Sequence, residues 1–226
     1  MKRVSWMMLF VWFVLGVLAF GDPSERRITP VLQNPGFEEQ LEGWHRGGWR
    51  VGEGTDSVRV DEAIHHGGSH AAKFSHGQPN DTYLVQSIPV TPSTVYHISG
   101  WIKTEGVVVH EAEKVGAAFG VKDTWVHSDD VEGTQPWQYR ELWVRTAPHQ
   151  THLGVTCRLG HWGNTATGTA WFDDVQVDRP LTLPSGVAPH DLVPQTKSSR
   201  SYWLVVVVLA LMMIGLERWV RFLRSR

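Results

Sequence analysis

Between Ile28 and Arg179 no stretch holds apolar residues at helical spacing for as long as a dozen positions. Short alternating runs bounded by Gly, Pro, Asn and Asp recur instead: Ser57–Asp61, His70–Ser75, Tyr83–Val90, Thr94–Thr104, Val115–Val121, Trp137–Thr146, Thr151–Leu159 and Thr169–Asp178. A period of two sends successive side chains to opposite faces, whereas a helix needs a recurrence every three or four residues. Runs of this length and spacing predict an all-β fold, a jelly-roll β-sandwich. Residues 28–179 form one domain of ordinary size.

Both ends of the chain are apolar. Met1-Lys2-Arg3, an apolar run from Val4 to Phe20 and the small-residue pattern Ala19-Phe20-Gly21 have the layout of a secretory signal peptide over 1–21. The length of the run and its Trp6 and Trp12 leave an uncleaved anchor as the rival reading. From Pro180 to Ser201 the chain turns to Pro, Ser, Thr and Lys, which reads as a flexible stalk. A second apolar run follows from Tyr202 to Leu216, and Trp219, Val220 and snorkelling Glu217 and Arg218 extend it to a transmembrane helix over 202–220. Arg221, Arg224 and Arg226 in the tail, 221–226, place that end in the cytoplasm. The expected layout is a single-pass membrane protein with its main domain extracellular or periplasmic. Val193-Pro194-Gln195-Thr196-Lys197 ahead of that run resembles, imperfectly, a sortase-type sorting signal.

Composition removes several classes. The lone cysteine, Cys157, excludes an intrachain disulfide, so packing must hold the domain together. A net charge of −2 without a basic stripe gives nucleic-acid binding no support. An enzyme needs a constellation that is missing: there is no Gly-x-Ser-x-Gly, Cys157 falls on an aliphatic face, and nothing selects two of the loop carboxylates as a catalytic pair. The chain is instead rich in tryptophan, with twelve.

Alternation assigns those rings. In Thr94–Thr104, Tyr96, Ile98 and Ile102 oppose His97, Ser99, Trp101 and Lys103. In Trp137–Thr146, Leu142 and Val144 oppose Tyr139, Glu141, Trp143 and Arg145. In Thr151–Leu159, Leu153, Val155, Cys157 and Leu159 oppose His152, Thr156 and Arg158. Aromatic rings beside charged groups suit a sugar, whose apolar face stacks on the ring while its hydroxyls meet the polar groups. Trp101, Tyr139, Trp143 and Arg158 are therefore the candidate ligand-binding residues, with Trp125 and Trp162 in loops as rims. Packing of the same tryptophans against a loop or the other sheet is the structural alternative.

Gly168–Asp178 carries a further signal. Strict alternation puts Asp173 with Val175 and Val177, facing the core, and Asp174 with Phe172 and Gln176. A buried carboxylate must be paired, protonated or bound to a metal.

Several of these motifs together resemble the jelly-roll carbohydrate-binding modules of families 4, 9 and 22, within the galactose-binding-like sandwiches. They are Asn34-Pro35-Gly36-Phe37-Glu38 with Trp44, Gly67-Gly68-Ser69-His70-Ala71-Ala72-Lys73, Tyr96-His97-Ile98-Ser99-Gly100-Trp101-Ile102-Lys103, Trp137, and Phe172-Asp173-Asp174-Val175. The resemblance implies a non-catalytic glycan-binding module with a structural Ca²⁺ held by Gly36, Glu38, a carbonyl of the Gly67–Ser69 turn (Gly68) and Asp173. His65 and His66 read as surface residues, since nothing nearby has zinc-ligand spacing. Many similar modules in cell-surface proteins have no demonstrated sugar ligand, so a protein-interaction scaffold that uses the same aromatic face stands as the alternative to the glycan reading.

Overall fold

The computed structural model describes residues 31–51, 56–110 and 115–193. The expected signal peptide, membrane helix and tail lie outside them, as does the stalk beyond 193. No helix of the described residues is long and apolar enough to cross a membrane.

Among the described residues ten strands make two sheets: β1 His45–Gly48, β2 Asp56–Asp61, β3 Ala71–Asn80, β4 Thr82–Pro89, β5 Val95–Val109, β6 Ala117–Val121, β7 Gly133–Arg145, β8 His152–Leu159, β9 Ala166–Asp178 and β10 His190–Asp191. One sheet has the order β1-β4-β8-β6 and the other β10-β7-β5-β9-β3-β2. From β4 to β9 each strand lies in the opposite sheet from its predecessor, so the chain winds around a single β-sandwich. The core between the sheets is built from the expected aliphatic faces. Tyr96, Ile98 and Ile102 of β5, Leu142 and Val144 of β7, and Leu153, Val155, Cys157 and Leu159 of β8 are all buried there. Phe172 sits edge-on to Phe74 and Phe119 at ring separations of 5.1 and 5.7 Å, which joins the sheets at mid-height. Burial holds the Cys157 thiol well above its ordinary pKa, which keeps it an inert core group.

The opening motif is structural. Phe37 and Trp44 are buried and pack on each other at 5.3 Å. Asn34 ties the loop together: its side chain donates to the carbonyls of Gln40 and Glu42 and accepts from the Glu39 N–H, while its carbonyl accepts from the Trp44 indole. The Val175 N–H donates to the Pro35 carbonyl, which fastens this loop to the last long strand.

Three sequence expectations need correction. The first is the side of β9 on which Asp173 lies. Asp174 adopts φ 49°, a left-handed conformation, and the register with β5 shifts there: Trp101 faces Asp173, but Ser99 faces Gln176. A bulge inserts one residue and reverses the alternation beyond it. Phe172, Val175 and Val177 thus point into the core, while Asp173 shares the outer face with Trp101.

The second is the stalk. His190 and Asp191 pair in parallel with Val144 and Arg145, the Leu192 N–H donates to the Arg145 carbonyl, and the Leu192 side chain is part of the core. The folded domain therefore continues past Arg179 to Leu192, covering the β7 edge.

The third is Arg158. It lies on β8, in the other sheet from Trp101, Tyr139 and Trp143. It is 1% exposed, donates to the Asp81 carboxylate at 3.2 Å and to the Gly160 carbonyl at 2.9 Å, and sits over the Tyr83 ring. Alternation found its face correctly but could not reveal what covers that face. The Trp125–Asp129 loop folds back along β6, with Val121 N–H bonded to the Val126 carbonyl and Ser128 N–H to that of Phe119. It buries Thr156 and Arg158 on what would otherwise be an open surface.

Candidate functional site

Three regions gather chemically capable side chains. At the junction of the opening loop and β9, carboxylates clamp the loop that precedes β3. Glu38 Oε1 accepts from the Ser69 N–H at 2.9 Å and the His70 N–H at 3.3 Å, while Oε2 accepts from the Ser69 hydroxyl at 2.7 Å and lies 2.9 Å from His70 Nδ1. The bond to His70, then those to Ser69, hold its pKa down to about 2. Asp173 accepts from the N–H groups of His66 at 2.7 Å, Gly67 at 3.0 Å and Asp174 at 2.7 Å. Burial nonetheless raises its pKa, outweighing those three donors. Gly68 has φ 54°, and a Cβ there would overlap the Glu38 carboxylate. A Cβ on Gly36 would lie 3.6 Å from an Asp173 oxygen and 3.9 Å from an Asp174 oxygen. Gly36, Glu38, Gly68 and Asp173 are thus brought together. Carboxylate and backbone oxygens suit a hard cation such as Ca²⁺. Their fit is partial, because backbone N–H groups and the Ser69 hydroxyl already engage the Glu38 oxygens and Asp173. Among the described residues no group of three or more His, Cys, Asp or Glu is arranged to hold a metal ion.

His66 is not an idle surface residue. Its Nδ1 lies 2.7 Å from Asp174 and its ring stacks on Trp101 at 4.0 Å and 16°, with Trp137 edge-on at 5.6 Å. It links the carboxylate junction to the second region, the outer face of the six-stranded sheet. There Trp101 meets the half-exposed Tyr139 at 5.7 Å, and Trp143 stacks with His97 at 4.2 Å. His97 also pairs with Glu141 at 2.8 Å. Each of these two tryptophans already carries an imidazole on one ring face. Trp101 and Tyr139 therefore touch, while Trp143 shares their face further along β7, against His97; only part of this aromatic surface is open.

The third region is the end of the four-stranded sheet where β4 begins and β8 finishes. Trp125, 50% exposed, and Trp162, 45% exposed, stand 5.1 Å apart at 61°. Trp162 occupies the tip of a two-residue turn closed by reciprocal bonds of 2.9 Å between His161 and Asn164. With φ 48° at Trp162 and 87° at Gly163, the turn has the left-handed pair of conformations a tight hairpin needs. Asn or Gly is the usual first residue of such a turn. A bulky ring held there in a strained conformation, facing solvent, is a feature found at ligand sites. Trp162 also walls a groove of about 800 Å³ whose other sides are Trp49, Arg50, Gln78, Pro79 and Asp81. Trp49 is 53% exposed, with the Arg50 guanidinium 5.5 Å above its ring. Trp49 escaped the sequence reading because β1, His45–Gly48, has no strand signal. Two glycines there admit close neighbours, and a Cβ on Gly47 would lie 2.5 Å from the Tyr83 ring.

No family model matches the chain. It is similar to the tRNA nuclease WapA of Bacillus subtilis, 28% identical over 170 residues that cover 67% of this chain and 7% of that protein. A tRNA3(Ser)-specific nuclease WapA of Bacillus spizizenii is 27% identical over 170 residues, with the same coverage. The chain spans about 7% of the length of the curated relatives it matches. Its solved structural neighbours include carbohydrate-binding modules. TmCBM61, solved with β-1,4-galactotriose, has a TM-score of 0.46 and 23% identity over 67% of this chain and 99% of that one. A family 4 module has a TM-score of 0.45 and 19% identity over 66% of this chain and 100% of that one. A cyclase from Fischerella sp. TAU has a TM-score of 0.48 and 15% identity over 66% of this chain and 96% of that one.

Proposed function

We propose that this domain is a non-catalytic carbohydrate-binding module, tethered to a membrane by the C-terminal apolar run, that grips a glycan between Trp125 and Trp162 and along the groove toward Trp49. The observation that carries it is the exposed pair of tryptophans set at 61°, one of them held out on a strained turn beside a groove lined by Trp49, Arg50, Gln78 and Pro79. Indole faces take the apolar side of a pyranose, while Arg50 and Gln78 offer hydrogen-bonding groups for its hydroxyls. This moves the ligand from the face of Trp101 and Trp143, where stacked imidazoles compete, to the loops first read as rims. In the same reading Ca²⁺ sits at the carboxylate junction as a structural ion, tying the opening loop to β9.

A glycan array probed with the full-length protein tests the assignment. Binding to at least one polysaccharide class is expected, and loss of that binding in Trp162→Ala. An array on which the folded protein ignores every glycan would favour the alternative, a surface module that holds another protein through the same rings.

A further inference from the structure

Beneath Trp125 lies His161, a polar residue in a place where an apolar one would pack as well. It is 0% exposed, and neither ring nitrogen has a hydrogen-bond partner among the described residues. Trp125 stacks on it at 5.1 Å and 17°, and the Trp162 ring is 6.3 Å away. Its backbone closes the turn that presents Trp162. The charged or titratable groups facing it are the Arg158 guanidinium on β8 and His127 on the loop after β6, whose ring is 5.3 Å away. The carboxylate of Asp81 is already committed to Arg158. Burial, then Arg158 and His127, push the His161 pKa down to about 3. A neutral imidazole stacks on indole at little cost. An imidazolium in the same place would face Arg158 without an acceptor or a counter-charge, and a charge buried in that way is expelled or loses its proton.

We propose that His161 is a positioning residue that props Trp125 and Trp162 in their edge-to-face arrangement only while it is neutral, so that acidification releases the pair and with it the bound glycan. The release of glycan rests on the function proposed above; the movement of the tryptophans does not. The sign follows from linkage. Once freed, the ring regains the ordinary value of 6.5, so the open arrangement binds the extra proton. Each pH unit below that value therefore raises the ratio of open to closed about tenfold, down to the depressed value. Because the acid response belongs to one side chain, a flat ring that does not titrate should remove it without disturbing the stack.

Fluorine NMR of the full-length protein labelled with fluorotryptophan reads both rings. In the wild type the Trp125 and Trp162 resonances should shift together as pH falls from about 7.5 to 4.5, while those of the buried Trp44 and Trp171 stay in place. His161→Phe should hold the two resonances constant over the same range, and His161→Ala should show the open positions already at neutral pH. Should His161→Phe not fold, His161→Gln serves as the variant without titration. An unchanged acid response in either would assign the effect to His127 or another group and overturn the proposal. So would wild-type resonances that do not move while the fold persists. A blank glycan array alongside a positive NMR result would sink only the glycan reading.

Discussion

Among single side chains, the pair Arg158–Asp81 has the largest predictable cost. Both groups are buried on the outer face of the four-stranded sheet, and Arg158→Ala would leave the Asp81 charge unpaired. Breaking a buried pair from one side costs about 3–5 kcal/mol, which urea denaturation of the variant should show. A loss below about 1 kcal/mol would mean that water reaches the pair. Glu38 makes a second prediction. Its pKa is depressed from 4.5 to about 2 by His70 and Ser69, so its contribution to stability is complete above 4.5 and vanishes as pH falls through about 2. Glu38→Gln should be less stable than the wild type at neutral pH, and the difference should close across that acidic window. Thermal melts at several pH values would show it. Alternation singled out Asp173, because a carboxylate among apolar neighbours demands a partner, whereas Glu38 came only from the resemblance of the opening motif. Neither could show that the loop carrying His66 to His70 provides much of that partnership through backbone N–H groups.

At the scale of strands, alternation was legible wherever a strand stays regular and one face meets the core. That held for β5 and β7, whose outward Trp101, Tyr139 and Trp143 were placed correctly. It failed where local irregularity or a covering loop intervened. One left-handed residue, Asp174, reversed the faces of β9, and the loop after β6 hid Arg158. Two strands were missed because they contain almost no strand-forming residues: His45–Gly48 is carried by its neighbour β4, and His190–Asp191 by the edge of β7. The second makes a prediction. Leu192, in a segment that reads as linker, is a core residue. Leu192→Ala should cost about 2–3 kcal/mol in chemical denaturation, as for other buried leucines. An exposed linker residue would cost nothing measurable.

Across the whole molecule, the opening loop and β9 lie far apart in sequence yet meet at Glu38, Asp173 and Asp174, where the proposed Ca²⁺ would close the domain. A ligand that binds only the folded state raises its melting temperature by mass action. Chelation should lower the melting temperature of the wild type and leave Asp173→Asn, itself less stable, without a response. Identical melts with calcium and with chelator would remove the metal and leave a hydrogen-bonded junction. The proposed glycan site is the open tryptophan pair at the other region. It is tested most directly by titrating the glycan selected on the array into the full-length wild type, Trp162→Ala and Trp143→Ala. Stacking on one indole contributes roughly 1 kcal/mol beyond burial, so Trp162→Ala should weaken binding about fivefold or more with its melting temperature nearly unchanged. Trp143→Ala should bind like the wild type. The reverse pattern, with binding lost in Trp143→Ala and kept in Trp162→Ala, would return the site to the six-stranded sheet and contradict the account.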